Sequence, residues 1–496
     1  MRSYYRNDIR PSVVRYTYPI KSFSGIDAYS EENSLPLSWA RYAYNVSIKN
    51  GVLKGGVGIS VATINGEYLP NAVSVGSRPI RACIYRRYDK TNEKRDDMIV
   101  AVMQNKKLYY ARLTDLGFTS ANITFADHNV IFLNYNYNDE DCLLVICDDG
   151  QSYIFDGTTF TKIESAPRLT HACIHNERVY GTVSDGENRL YFSDDLDPTN
   201  WNVSLTEGGY ISFPDEGGAV GRVVSFNGNL YIFREYAIHR LSAFVAQEDY
   251  ILTKVFQTNN LIYPESVAAC NDKIIFLAED GFYSFDGYNC KKILKGIVPL
   301  IESKIGCSAS FFDNKYYISV ILKRDEYVIG DEKLDYNVKN GMIIYDTDTE
   351  EVSVFRGADI GFFMPVSVEG TNEMFVIFDN VYRGFNIGVV DGSGKLFDEP
   401  LRKLWRSPYT DFENLYQNKV LKRIFINTSA NVTVKAKLDK DYFYSLHGSP
   451  SAQMIPVNRY ADKAGIEIST DEDSFSVNGL LLEFDFTRRN PNERNN

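Results

Sequence analysis

His171, Cys173 and His175 alternate along the stretch THACIHNER. Imidazole and thiolate are zinc ligands, and on a strand alternate side chains share one face. A structural zinc site takes four ligands. No fourth lies near these three, and Asn176 marks an adjoining turn, so a structural role is expected and no metal. Asp346, Asp348 and Glu350, in YDTDTEE, set carboxylates at alternate positions in the manner of a calcium loop. The glycine at the sixth position and the distant bidentate glutamate of such a loop are missing. The segment also joins two strand-like runs, so a solvated hairpin turn is expected. Asp148-Asp149-Gly150 and Glu279-Asp280-Gly281 read the same way, as turn chemistry. HExxH, P-loop, GxGxxG and GxSxG patterns are all missing, and the five histidines form no visible triad. No catalytic residue and no cofactor is therefore expected, and the chain reads as a non-enzyme.

The elements that would position these residues are strands. Tyr 35 and Phe 30 against Trp 3, in 496 residues, suit a pleated and half-buried surface, and Gly 34 supplies tight turns. From 71 to 398 one unit recurs: two strands joined by an acidic or glycine turn. It is seen at 143–163, 178–194, 227–241, 271–293 and 340–355. Four-stranded blades repeating at roughly 40–50 residues are the mark of a β-propeller. The region has room for six or seven blades, and six is the preferred count. An array of hairpins in a β-sandwich or β-helix is the other all-β arrangement open to such a pattern.

The two ends have a different texture. Residues 1–70 read as an arm or platform segment. Pro36 and Trp39 lead into residues 40–45, ending at Asn45, and Asn50-Gly51 marks a hairpin. Residues 399–486 read as a small C-terminal β-sandwich. It opens with Trp405 and Pro408, continues as two alternating strands around a turn at 428–431, and finishes with LLLEFDF at 480–486. Residues 487–496 read as a disordered polar tail.

Composition limits the function classes. The net charge is −12 and no basic block stands out, which argues against a protein that grips DNA for affinity. Solubility alone accounts for the acidity equally well. Seven cysteines without a CxxC pair fit assembly in a reducing cytoplasm. No apolar run approaches a membrane span, so no membrane partner is expected.

Three stretches carry a resemblance. The first is 25–58, with Leu37, Ala40, Asn45 and Gly51. The second is 189–201, where an aromatic strand ends in an acidic turn, Pro198 sets a bend and Trp201 follows. The third is 404–425, with its Trp-Arg-Ser-Pro opening. In this order they resemble phage tail hub and nozzle proteins of the head-to-tail, packaged-DNA stabilisation type. That resemblance implies a β-propeller with a platform domain built from both termini. It implies a ring of copies, usually a homohexamer, below the portal and adaptor proteins. Such a ring would close or line the DNA channel without specific DNA binding and would carry tail fibre or spike proteins. The location implied is the virion tail, after assembly in the host cytoplasm. Residues 193–201 are also similar to the Asp-box of sialidase propellers, one residue longer and with Asp197 where glycine belongs. A carbohydrate-binding or glycan-cleaving propeller tail protein is thus the alternative. Trp39, Asn45, Gly51, Pro198, Trp201, Trp405 and Pro408 are the structural motif residues of this reading.

Overall fold

The computed structural model describes residues 14–488 apart from 71, 91, 184–187, 205–206, 244–246, 324–339, 369, 383, 413–416, 440–441 and 449. The ends of the expected N-terminal arm and of the polar tail lie outside these residues. The last strand, Ser476–Arg488, takes in the first two residues assigned to the tail.

Six consecutive four-stranded antiparallel sheets run from Pro79–Tyr85 to Val352–Arg356. A seventh is built on Ile360–Val368, Thr371–Tyr382 and Phe385–Asp391. Its fourth position is filled by Gly58–Val61, which pairs antiparallel to Phe385–Asp391 with Ser60 opposite Val389. Among the described residues the chain is a seven-bladed β-propeller, one blade more than the preferred count. Its ring is closed by a strand from the N-terminal side. The propeller therefore begins earlier than residue 71, because its last blade has only three strands of its own and needs a partner at the open edge.

Seven apolar clusters lie between successive blades, and each draws on two neighbours. The cluster between blades 7 and 1 joins Ile84 and Ile99 to Phe375 and Ile377, which completes the circle. The second strand of each blade is covered on both faces. Met98–Met103 is buried at every position, as are Leu143 to Cys147 and Ile274 to Ala278. Such strands read as continuous apolar runs and do not alternate.

A β-sandwich accompanies the propeller. One sheet combines Val14–Ile20, Val46–Lys49 and Val52–Gly55 with Gln417–Thr428, Ser451–Tyr460 and Ser476–Arg488. The other places Tyr42–Tyr44 beside Lys403–Arg406, followed by Ala464–Thr470, Val432–Leu438 and Tyr442–Gly448. Both termini thus contribute strands to both sheets around one core that holds Leu53, Trp405, Val434 and Phe484.

Candidate functional site

Trp201 lies in the cluster between blades 2 and 3 and is 5% exposed. Its indole N–H donates to the Pro198 carbonyl at 3.0 Å, and its backbone N–H donates to Ser165 Oγ at 3.1 Å. Asp197 Oδ1 accepts from the Thr199 N–H at 2.9 Å and from the Thr199 hydroxyl at 2.6 Å. Pro198 is buried. Residues 193–201 thus form a turn whose polar groups bond largely within it.

His171, Cys173 and His175 share the face of Leu169–His175 that looks toward blade 4, but they do not converge. His175 Nδ1 meets Ser225 Oγ at 2.8 Å, and His171 Nε2 meets Glu265 Oε1 at 2.9 Å. Burial pushes the Cys173 thiol up to about 12, so the thiolate that zinc needs is disfavoured. All seven cysteines are free, and burial raises every thiol. Among the described residues no group of three or more His, Cys, Asp or Glu is placed to hold a metal ion. The Asp346 carboxylate accepts from the Asp348 and Thr349 N–H groups at 3.1 and 2.9 Å, which closes a hairpin turn. Asp156 and Asp286 close the corresponding turns of blades 2 and 5 in the same way.

The His171–Glu265 pair links two blades that are not neighbours. His171 stands on the inner strand of blade 3, and Glu265 in the turn Pro264–Ser266 that enters blade 5. A 2.9 Å contact that skips blade 4 crosses the inner rim of the ring. Burial pushes the Glu265 carboxyl up. The hydrogen bond from His171 and the charges of Arg222 and Arg81 outweigh it and hold the group at about 2.

The second focus is the joint between propeller and sandwich. Asn45 is fully buried and has φ +55°. Its Nδ2 donates to the Arg356 carbonyl at 2.7 Å and to the Arg402 carbonyl at 2.9 Å, and its Oδ1 accepts from the Arg356 N–H at 2.8 Å. Its backbone N–H donates to the Val354 carbonyl at 2.8 Å. One side chain thus ties the N-terminal segment to the outer strand of blade 6 and to the chain leaving blade 7. The Arg356 guanidinium lies 5.8 and 5.9 Å from the ring centres of Tyr42 and Tyr44. Nearby, the fully buried Lys403 donates from Nζ to the Gly394 and Leu401 carbonyls at 3.0 and 2.9 Å. Burial lowers its pKa. Lys403 carries no recognisable sequence signal, because the groups it bonds, the Gly394 and Leu401 carbonyls, are main-chain atoms that any residue supplies.

The remaining motif residues support the same joint. Trp405 is fully buried, edge-on to Phe23 at 5.0 Å. Pro408 is buried, and its carbonyl accepts from Ser407 Oγ at 2.9 Å. Gly51 has φ +75°, and a Cβ there would lie 2.2 Å from Ser22 Oγ, so the hairpin requires glycine. Trp39 is half-buried over Gly25, and its N–H donates to the Pro36 carbonyl at 3.0 Å.

No family model matches the chain, and no curated protein matches it. Among solved structures, two crystal structures of BBS1N in complex with ARL6DN are similar, one soaked with mercury and one with lead. The first is 10% identical with a TM-score of 0.40, covering 65% of this chain and 92% of its own. The second is 9% identical with a TM-score of 0.41, covering 63% and 91%. A likeness at this level carries no argument. The propeller rests on the seven sheets and their closure.

Proposed function

We propose that the protein is a structural component of a phage tail, a hub or nozzle. In this reading copies assemble as a ring, a homohexamer, below the portal and adaptor proteins. The ring holds packaged DNA until ejection and carries the fibre or spike. The protein is no enzyme and belongs to the virion tail after assembly in the host cytoplasm.

The observation that supports the reading is the joint at Asn45. It makes the propeller and the two-terminus sandwich one body, the two-part arrangement that the ordered resemblance of 25–58, 189–201 and 404–425 implies. Buried and fully bonded polar joints resist relative motion of the parts they connect. That property suits a part which transmits load along a tail. Because His171 and Glu265 bridge blades 3 and 5 at the inner rim, the reading puts the duplex in the opening between propellers. An acidic protein there repels phosphate and lets DNA slide.

A glycan-binding reading draws on blade 3. Tyr210 is 41% exposed, with the Arg189 guanidinium 4.3 Å from its ring centre and Tyr191 at 5.6 Å. The deciding experiment mixes the purified protein with its portal–adaptor complex and, in parallel, with a glycan array. A defined ring on the neck is expected. Glycan binding without any neck complex would favour the second reading.

A further inference from the structure

The end of the propeller axis that holds the His171–Glu265 pair also gathers two arginines. Arg222 stands on the inner strand of blade 4, with its guanidinium 3.8 Å from Glu265 Oε2 and 3.5 Å from the Pro264 carbonyl. Arg81 stands on the inner strand of blade 1, and its guanidinium carbon lies 5.4 Å from the ring centre of Phe362 on the inner strand of blade 7. Arg81, His171, Arg222 and Phe362 each lie at the third position of their strand. Inner strands of a propeller run in the same direction, so all four share one mouth of the channel.

The charges there do not balance. The two oxygens of Glu265 are taken separately, Oε1 by His171 and Oε2 by Arg222. Among the described residues Arg81 makes neither an ion pair nor a hydrogen bond; it lies against the Phe362 ring and feels Glu265 through space. Burial keeps His171 toward its neutral form. Two guanidiniums therefore have one carboxylate, Glu265, in ion-pair contact between them, and it pairs with Arg222. Each guanidinium is pushed down first by burial; the Glu265 carboxylate is the largest opposing charge at both, and the charge of Arg222 adds to the lowering at Arg81. Asp127 and Asp148, in turns outside the strands, act on Arg81 in the same direction as Glu265 but more weakly.

We propose that this mouth of the axial channel is a binding site for a small oxyanion of the phosphate type. Arg81 supplies an open fork of donors, Arg222 a second cation held in place by Glu265, and Phe362 the flat support that orients Arg81. A planar guanidinium fork matches a tetrahedral oxyanion in a bidentate manner. Enclosure strengthens the attraction relative to open water. The side chains gathered here match a free phosphate or a small phosphomonoester. The site is independent of the tail reading and would hold whatever larger assembly the protein joins.

The test uses the full chain at fixed pH and ionic strength. Inorganic phosphate is titrated by calorimetry, and Tm is followed over the same range, with chloride as the control. One saturable site and a Tm that rises with phosphate are expected. Arg81→Gln should weaken binding at least tenfold and leave the Tm of the anion-free protein unchanged or higher, because an unpaired enclosed charge is gone. Arg81→Lys, which keeps the charge and loses the fork, should bind at an intermediate level and serves if the first variant does not fold. AMP in place of phosphate distinguishes the sources: competition identifies a phosphomonoester, and binding of phosphate alone identifies the free ion. An unsaturable response of the wild type, or an Arg81→Gln protein that binds phosphate like the wild type, would overturn the proposal.

Discussion

Asn45 and Arg356 stand 311 positions apart and exchange two hydrogen bonds, Arg356 N–H to Asn45 Oδ1 at 2.8 Å and Asn45 Nδ2 to the Arg356 carbonyl at 2.7 Å. A side-chain amide here completes a strand edge as a backbone peptide would. Aspartate could accept from the N–H but would turn its other oxygen against two carbonyls, those of Arg356 and Arg402. Asn45→Ala should destabilise the protein by about 3 kcal/mol, through orphaned buried groups. Asn45→Asp should cost more at neutral pH and recover part of the loss in acid, where the carboxyl can donate. Denaturant unfolding of both variants checks this. Equal stability of Asn45→Asp and wild type at pH 7 would contradict it.

The closing strand gives a second prediction. A fragment of residues 71–398 lacks Gly58–Val61 and leaves Phe385–Asp391 as an open edge. Exposed edges pair with other chains. This fragment should be poorly soluble and melt well below a fragment of residues 56–402. Matching melting curves would show that the ring does not need the strand.

How much of this was legible depended on whether the signal is local. The hairpins were readable because Asp156, Asp286 and Asp346 cap tight turns within a few residues of themselves. The blade number was not. The second strands are buried on both faces and lose the alternation that marks a strand, and the seventh blade borrows its fourth strand from far up the chain. The axial cluster left no trace, since Arg81, His171, Arg222 and Glu265 come from four separate stretches and meet only when the ring closes. His171 was singled out for a spacing that puts it beside Cys173, yet its partner is Glu265.

Trp201 fills the space between blades 2 and 3 and is bonded at both of its nitrogens. Trp201→Ala should cost about 3–5 kcal/mol, by loss of burial and an unfilled cavity. Trp201→Phe should recover most of the packing and lose only the indole hydrogen bond. Thermal melting of the two variants separates these terms, and an unchanged Tm for Trp201→Ala would contradict the buried position.

Glu265 sets a pH dependence. Its carboxyl lies near 2 in the folded protein and in the ordinary range, about 4.3, when unfolded. A lowered carboxyl contributes stability above the unfolded value and loses it as pH falls through the folded one. The Tm gap between wild type and Glu265→Gln should therefore narrow between about pH 4.5 and pH 2. A gap independent of pH would show that the axial cations do not act on this carboxylate.

The most direct test of the tail reading is single-particle imaging of the purified protein, alone and with the portal–adaptor complex. The reading predicts a closed ring of copies under the portal, with the central opening formed between propellers. A protein that stays monomeric and unassociated in both samples would contradict it.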